Sequence, residues 1–307
     1  MKIKYPHIAK ALLEEVWAVQ PTKMAAIVEF VCSKMFDEPS AAKFTPAQDR
    51  KVAAQQGSIM VMPLQGVISN RASLVQNQSE PAGTSTEAFG RAFMAAVNNE
   101  EIKAIIIDTN SPGGVCAGTP ELFELIYNAR DKKPIIAQVN SMAASAAYWL
   151  ACAASEIVVT PSGSVGSIGV VTVHEDISKR LEEDGVKVTF IHAGQYKVEG
   201  NYLEPLGDEA KAQFQKSVDE FYSMFQQAVA KGRGVTVKEV EANFGRGRMV
   251  GAKEAVSLGM ADRVGTMEDT LARFGVSLYA SKQSTNQPVS RMAARGRLKA
   301  LTQGETK

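Results

Sequence analysis

Between residues 58 and 258, short β-branched runs take turns with helical patterns. Ser58–Leu64, Ala104–Ile107, Ile135–Val139, Glu156–Thr160 and Val186–Ile191 are apolar and bounded by turn residues, as buried strands are. Helical patterns lie over Thr86–Asn99, Pro120–Arg130, Met142–Ala154 and Ile177–Glu183. A longer amphipathic helix is expected over Asp208–Lys231 and a shorter one over Lys253–Leu258, because apolar side chains recur there at helical spacing. Strands that alternate with helices imply parallel β-α units, so the expected fold class is α/β.

The ends read differently. Ile8, Leu12, Val16 and Val19, then Ile27, Phe30 and Val31, recur at helical spacing with Pro21 at a break, which predicts an N-terminal helical extension. The polar stretch Asp37–Gly57 reads as a linker, and the stretch after Tyr279 is rich in Ser, Gln, Asn and Arg, a composition expected to stay disordered. The expected division is 1–56 for extension and linker, 57–266 for the main domain and 267–307 for a C-terminal segment. No internal repeat is evident.

Composition narrows the partners. Hydrophobic residues make up 45% and charged residues 22% of the 307 residues, with a net charge of +1. Those values are ordinary for a soluble globular chain and argue against a nucleic-acid-binding surface. Only Arg291–Lys299 is locally basic, as a solvated tail would be. Cys32, Cys116 and Cys152 are odd in number and widely spaced, which fits reduced thiols and neither a disulfide framework nor a metal site. The N-terminus carries two acids within its apolar stretch and lacks a signal-peptide core. The most apolar run, Met142–Ala154, is about 13 residues, short of the roughly 20 that span a bilayer. The expectation is a soluble chain that stays where it is made, with no membrane partner.

Three Gly/Ser-rich features follow successive strands. Asp108-Thr-Asn-Ser-Pro-Gly-Gly114 follows Ala104–Ile107; its glycines free the backbone for positive φ and close approach, and exposed N–H groups there can cradle an oxyanion. Its bland reading is a strand-to-helix turn. Asn140-Ser-Met-Ala-Ala-Ser-Ala-Ala-Tyr148 follows Ile135–Val139. Ser145, ringed by small residues at a helix start, suits a nucleophile, although Ala/Ser runs also mark tight helix packing. Gly163-Ser-Val-Gly-Ser-Ile-Gly169 follows Glu156–Thr160 and either lines a substrate groove or is only a loop. Downstream, Gly194-Gln-Tyr-Lys-Val-Glu-Gly-Asn201 holds Lys197 in a polar loop, by default a solvated position.

The order of these pieces resembles the signal peptide peptidase A family of serine peptidases, and within it the branch of head maturation proteases of tailed bacteriophages. The matching pieces are SPGG at 111–114, MAAS at 142–145, GSIGV at 166–170, GQYKVEGN at 194–201 and GAKEAVSLGMADRVG at 251–265. The resemblance implies a crotonase-like, Clp-protease-like α/β spiral. It implies Ser145 as nucleophile, Lys197 as general base, and the backbone N–H groups of Gly114 and Ala146 as oxyanion hole. Gly113, Ser167, Ile168 and Gly169 would line the substrate groove. It further implies a homo-oligomer; no cofactor or metal is expected, because neither a metal-ligand cluster nor a phosphate-binding fingerprint accompanies the motifs. The substrates would be capsid, scaffold or portal-associated proteins, or the chain itself, met in the host cytoplasm within or beside a procapsid. One departure stands out: the usual glycine pair after the serine is Ala146-Ala147 here, which keeps the N–H donor and loses flexibility.

A serine–lysine pair demands a neutral amine. With an ordinary pKa near 10.4, roughly one lysine in 2,500 is neutral at pH 7; exclusion of water can lower that pKa by several units. Glu199, two residues on, is expected to point away, because a close carboxylate would hold the lysine protonated. His174, 29 residues after Ser145 and followed by Asp176, leaves a Ser-His-Asp arrangement of the Clp type open, since triads are recognised by geometry. His192 reads as structural. An acyl-CoA hydratase or isomerase of the same fold, a peptidase of the host, and an inactive capsid-assembly module are the other readings. Neither of the first and last requires a Ser145/Lys197 pair.

Overall fold

The computed structural model describes residues 15–20, 24, 28, 54–71 and 83–277. Its strands, in chain order, are β1 (Trp17–Val19), β2 (Ala54–Gln56), β3 (Ile59–Gln65), β4 (Ile68–Ser69), β5 (Thr84–Ser85) and β6 (Ala104–Ser111). They continue with β7 (Gly113–Val115), β8 (Ile135–Ala144), β9 (Glu156–Val159), β10 (Ser164–Gly166), β11 (Met249–Gly251) and β12 (Arg263–Val264). The helices used below are α1 (Thr86–Asn98), α2 (Thr119–Tyr127), α3 (Ala146–Ala151), α4 (Ser178–Glu183) and α5 (Asp208–Arg233).

The expected α/β architecture of parallel units is present. β3, β6, β8 and β10 run parallel in the larger sheet, closed at its edges by antiparallel β2 and β11. Ile105, Ile106 and Ile107 of β6 are all buried, as a parallel strand covered on both faces requires. On one side of the sheet α1 presents Phe89, Phe93, Ala96 and Val97 to the core. Its first turn is capped by Ser85, whose Oγ accepts from the Ala88 N–H at 3.3 Å, one of the four N–H groups a helix start leaves open.

β8 is the strand that shapes the site. Its first half pairs with β9 through Ile136–Val139, and its last three residues, Met142–Ala144, pair with β10. On its other edge the register against β6 shifts, from Thr109 opposite Val139 to Ser111 opposite Ala143. A shift of this kind bends a strand and re-aims the chain leaving it. The first residue past the end of β8 is Ser145. Beyond β6 the chain enters a second, four-stranded sheet in the order β1-β7-β4-β5.

Four expectations differ from the structure. Met142–Ala154 is not one helix: Met142–Ala144 extends β8, and only Ala146–Ala151 is helical, because β10 offers ladder partners where helical propensity alone had none. Val16 and Val19 do not belong to a helix; Trp17–Val19 is a buried strand paired with β7. Hydrogen-bonding partners on both its edges outweigh the apolar spacing. Ala54–Gln56, placed in the linker by sequence, is a strand on β3. Val186–Ile191 pairs with no strand among the described residues and is open, with Ile191 98% exposed. The rest of the N-terminal helical reading, the bulk of the linker, Cys32 and the tail after 277 lie outside the described residues.

Candidate active site

Ser145 occupies the corner between β8 and α3 with φ 54° and ψ −119°. A non-glycine residue held there stores about 1–3 kcal/mol, which persists only where the surroundings over-determine the backbone. They do so here. The Ser145 N–H donates to the Gly166 carbonyl at 2.8 Å, and its own carbonyl accepts from the Trp149 N–H at 2.9 Å. Its Oγ donates to the Gly169 carbonyl at 3.2 Å. The residue is fully buried, as are all six residues of α3. That helix has alanines on its first turn for space, and Trp149 one turn on stacks on Phe225 of α5 with centroids 4.6 Å apart.

Gly113 and Gly114 form the wall facing it. Gly113 has φ 98°, and a Cβ added there would lie 2.2 Å from the Ala18 carbonyl oxygen and 3.1 Å from the Ala146 nitrogen. A Cβ on Gly114 would lie 1.9 Å from the Ile68 carbonyl oxygen. Only glycine permits this approach. Ser111 fixes the turn: its Oγ accepts from the Gly113 N–H at 3.2 Å and donates to the Gly66 carbonyl at 2.6 Å. The Ala146 nitrogen, at the start of α3, thus lies at the corner that Gly113 lines.

Of the groove residues read from sequence, Ser167 and Ile168 are buried. Ser167 has φ 53° and its N–H donates to the Arg248 carbonyl at 2.9 Å. Gly169 meets Ser145 through its carbonyl, and with Ile168 it borders a cleft of about 770 Å³ that also takes in Tyr222, Glu241 and Arg246.

Lys197 lies apart from this cluster. It sits in an exposed turn, its N–H donating to the Gly194 carbonyl at 3.2 Å, and it makes no hydrogen bond with Ser145 in the single chain. No ion pair joins it to Glu199. His174 bonds the Asn201 carbonyl through Nε2 at 3.0 Å and also does not reach Ser145. Beside it, Asp176 is held below the usual carboxylate range, first by the Ser178 hydroxyl and N–H and then by His174. His192 is exposed, with Nδ1 3.1 Å from the Gly194 carbonyl.

Sequence reading missed a polar support behind the glycine turn. Asp108, the first residue of the turn motif, is bonded by the Asn140 amide and, at 3.4 Å, by the Gln65 amide. Burial raises its pKa, and these two bonds oppose the rise without cancelling it. Asn140 in turn accepts through its carbonyl from Thr160 Oγ1 at 2.8 Å, so β3, β6, β8 and β9 are tied at the ends that carry the motifs. The signal was an acid directly after an apolar strand. Cys116 and Cys152 are free and buried, and burial pushes both thiols up to about 12. Among the described residues no cluster of His, Cys, Asp or Glu could hold a metal, and no helix is long and apolar enough to cross a membrane.

The chain is 31% identical over 261 residues to the capsid assembly protease C of Escherichia phage lambda, covering 85% of this chain and 56% of that protein. It is 29% identical over 252 residues to the head-tail preconnector protein GP5 of Enterobacteria phage P21, covering 82% and 49% respectively. The chain thus spans about half the length of these relatives. Among solved structures, a membrane-bound stomatin-specific protease in complex with a substrate peptide aligns with TM-score 0.45 and 16% identity, covering 72% of this chain and 80% of that one. Residues 128–278, which include Ser145, the Gly163–Gly169 loop and Lys197, match the model of Peptidase family S49.

Proposed function

We propose that this chain is a serine endopeptidase that processes capsid, scaffold or portal-associated proteins while a phage procapsid matures in the host cytoplasm. The observation that carries the reading is Ser145 itself, fully buried and forced to φ 54° at a strand-to-helix corner. The phage relatives supply the substrate class.

In the proposed reaction Ser145 Oγ attacks the scissile carbonyl, and the N–H groups of Gly114 and Ala146 receive the oxyanion. Such donors are worth roughly 10²–10³ in rate each. Lys197 is the proposed base, and it must first lose water contact, because a drop of about 3 pKa units corresponds to roughly 4 kcal/mol. In the single chain Lys197 is exposed, so the loop must close over Ser145 or be covered by another subunit. The second route fits the arm beside it. Val186, Val188 and Ile191 are 49%, 40% and 98% exposed on a β-branched run that has a strand's sequence and, among the described residues, no partner strand. A homo-oligomer that pairs this run would bury it and enclose the lysine.

The test is mass spectrometry of capsid and scaffold proteins co-expressed with wild-type, Ser145→Ala, Lys197→Ala and His174→Ala chains. Defined products should vanish in the first two and persist in the third. Products that survive Lys197→Ala and vanish with His174→Ala move the base to the histidine; no products from the wild type favour a non-enzymatic assembly module.

A further inference from the structure

β1 runs between β7 and Val171, next to the corner that holds Ser145. The segment is held on both edges by main-chain bonds of the kind that bind an added strand. On one edge the Trp17 N–H donates to the Val171 carbonyl and the Val171 N–H donates back to the Trp17 carbonyl, both at 2.8 Å. Val171 directly follows the GSIGV segment whose Gly169 carbonyl holds Ser145 Oγ. On the other edge β1 runs antiparallel to β7, with Ala18 opposite Gly114. The Cys116 N–H donates to the Val16 carbonyl at 2.9 Å and the Gln20 N–H to the Pro112 carbonyl at 2.8 Å. In an antiparallel ladder bonded pairs recur every second residue, so Ala18 and Gly114 fall in the bonded phase between those two.

The Ala18 carbonyl is therefore the one that meets the glycine wall. A Cβ built on Gly113 would have the Ala18 oxygen at 2.2 Å and the Ala146 nitrogen at 3.1 Å, so that oxygen and that nitrogen converge on one point beside Ser145. Ala18 is fully buried, and its methyl suits a site crowded by the backbone of Gly113. Trp17 is buried too, yet its indole Nε1 has no acceptor among the described residues, a cost of about 1–3 kcal/mol that leaving the groove would relieve.

We infer that Val16–Gln20 is a built-in occupant of the substrate groove, bound as a substrate strand with the Ala18–Val19 peptide bond at the reacting position. It must leave before another polypeptide enters. The inference rests on the peptidase reading and adds the chain's own segment as its first ligand. If the occupant is cut, Ser145 Oγ bonds the Ala18 carbonyl carbon while the hydroxyl proton passes through the base to the Val19 nitrogen, which leaves as the amine. Water then cleaves the ester and restores the serine.

The probe is a fluorophosphonate, which labels an activated serine. In the full-length chain, Ala18→Pro and Trp17→Ala should each label at least about tenfold faster than wild type, since labelling scales with the fraction of open groove. A synthetic peptide of residues 13–24 should slow the variants again. Equal rates in wild type and both variants overturn the inference while leaving the peptidase reading intact; no label at Ser145 in any chain sinks both. Should the variants fail to fold, amide exchange of the wild type decides. Val16–Gln20 exchanging faster once Ser145 is labelled supports displacement, and unchanged exchange refutes it. A chain beginning at Val19 in wild type and absent from Ser145→Ala also supports the inference.

Discussion

The two halves of the proposed dyad stand on contrasting ground. Around Ser145, every residue of α3 is buried, the backbone is fixed from β10 and Gly169, and Trp149 locks the helix onto α5. Around Lys197, the stretch between α4 and α5 is loop, α4 buries none of its residues, and three large apolar side chains of the loop face outward. The serine side is complete within one chain. The lysine side has the composition of a packed element, yet among the described residues nothing packs over Val186, Val188 and Ile191. The difference teaches that the strain at Ser145 belongs to the fold of the single chain, whereas Lys197, the proposed base, stands on a loop that the described residues leave open.

Mutations can break that contrast. The largest stability effect is expected at Trp149→Ala, which empties a buried ring site and its stack on Phe225. A loss of about 3–5 kcal/mol, read by urea unfolding, is the cost of such a cavity; a loss under about 1 kcal/mol would mean that α3 is not anchored there.

A middle effect is expected at Asp262, whose carboxylate accepts from Arg233 at 2.8 and 3.0 Å and from the Ile157 N–H at 2.7 Å. Burial pushes its pKa up, but these bonds outweigh burial and hold it below the ordinary 3.8. Because the folded value is depressed, its contribution is present above the unfolded pKa and is lost as pH falls through the folded one. Its carboxylate is 38% exposed, so Asp262→Asn should cost about 1–2 kcal/mol at pH 7 after screening. The variant should also lose less stability than wild type on acidification below pH ~4. Unfolding curves at several pH values check the sign.

The smallest effect on monomer stability is expected in the arm. Ile191→Ser should shift unfolding by no more than about 0.5 kcal/mol, as exposed substitutions do. It should nevertheless reduce self-association in sedimentation and lower activity with it. A large destabilisation of the monomer would show that the arm packs on its own chain and would erase the contrast.

Much of this was legible in the residues, for reasons that can be named. β3, β6, β8 and β9 begin within a residue of their β-branched runs, because burial on both faces makes a parallel strand a near-continuous apolar run; Gln138 of β8 is a buried exception, bonded to Thr270 and the Gly265 carbonyl. α1 and α5 likewise follow their apolar spacing. The run 142–154 was misread because alanine is compatible with a helix and with a crowded strand end, and local propensity carries no information about β10. Trp17–Val19 was misread for the same reason: three residues set its state through partners nearly 100 and more than 150 positions away. Val186–Ile191 has a strand's sequence, and the single chain offers it no edge.

The sequence by itself determined the parallel α/β order, the strand ends that carry Asp108–Gly114, Ser145 and Gly163–Gly169, and the absence of a side chain at the two glycine walls. These are local properties of periodicity, turn chemistry and missing Cβ atoms. Only the tertiary structure decided that β8 bends through its register shift to strain Ser145 and that Asp108 is buried among amides. It alone laid Trp17–Val19 between Gly114 and Val171 and left Lys197 in an exposed turn. Those outcomes depend on which distant backbone edges meet, and the energy of a ladder is set by both strands at once.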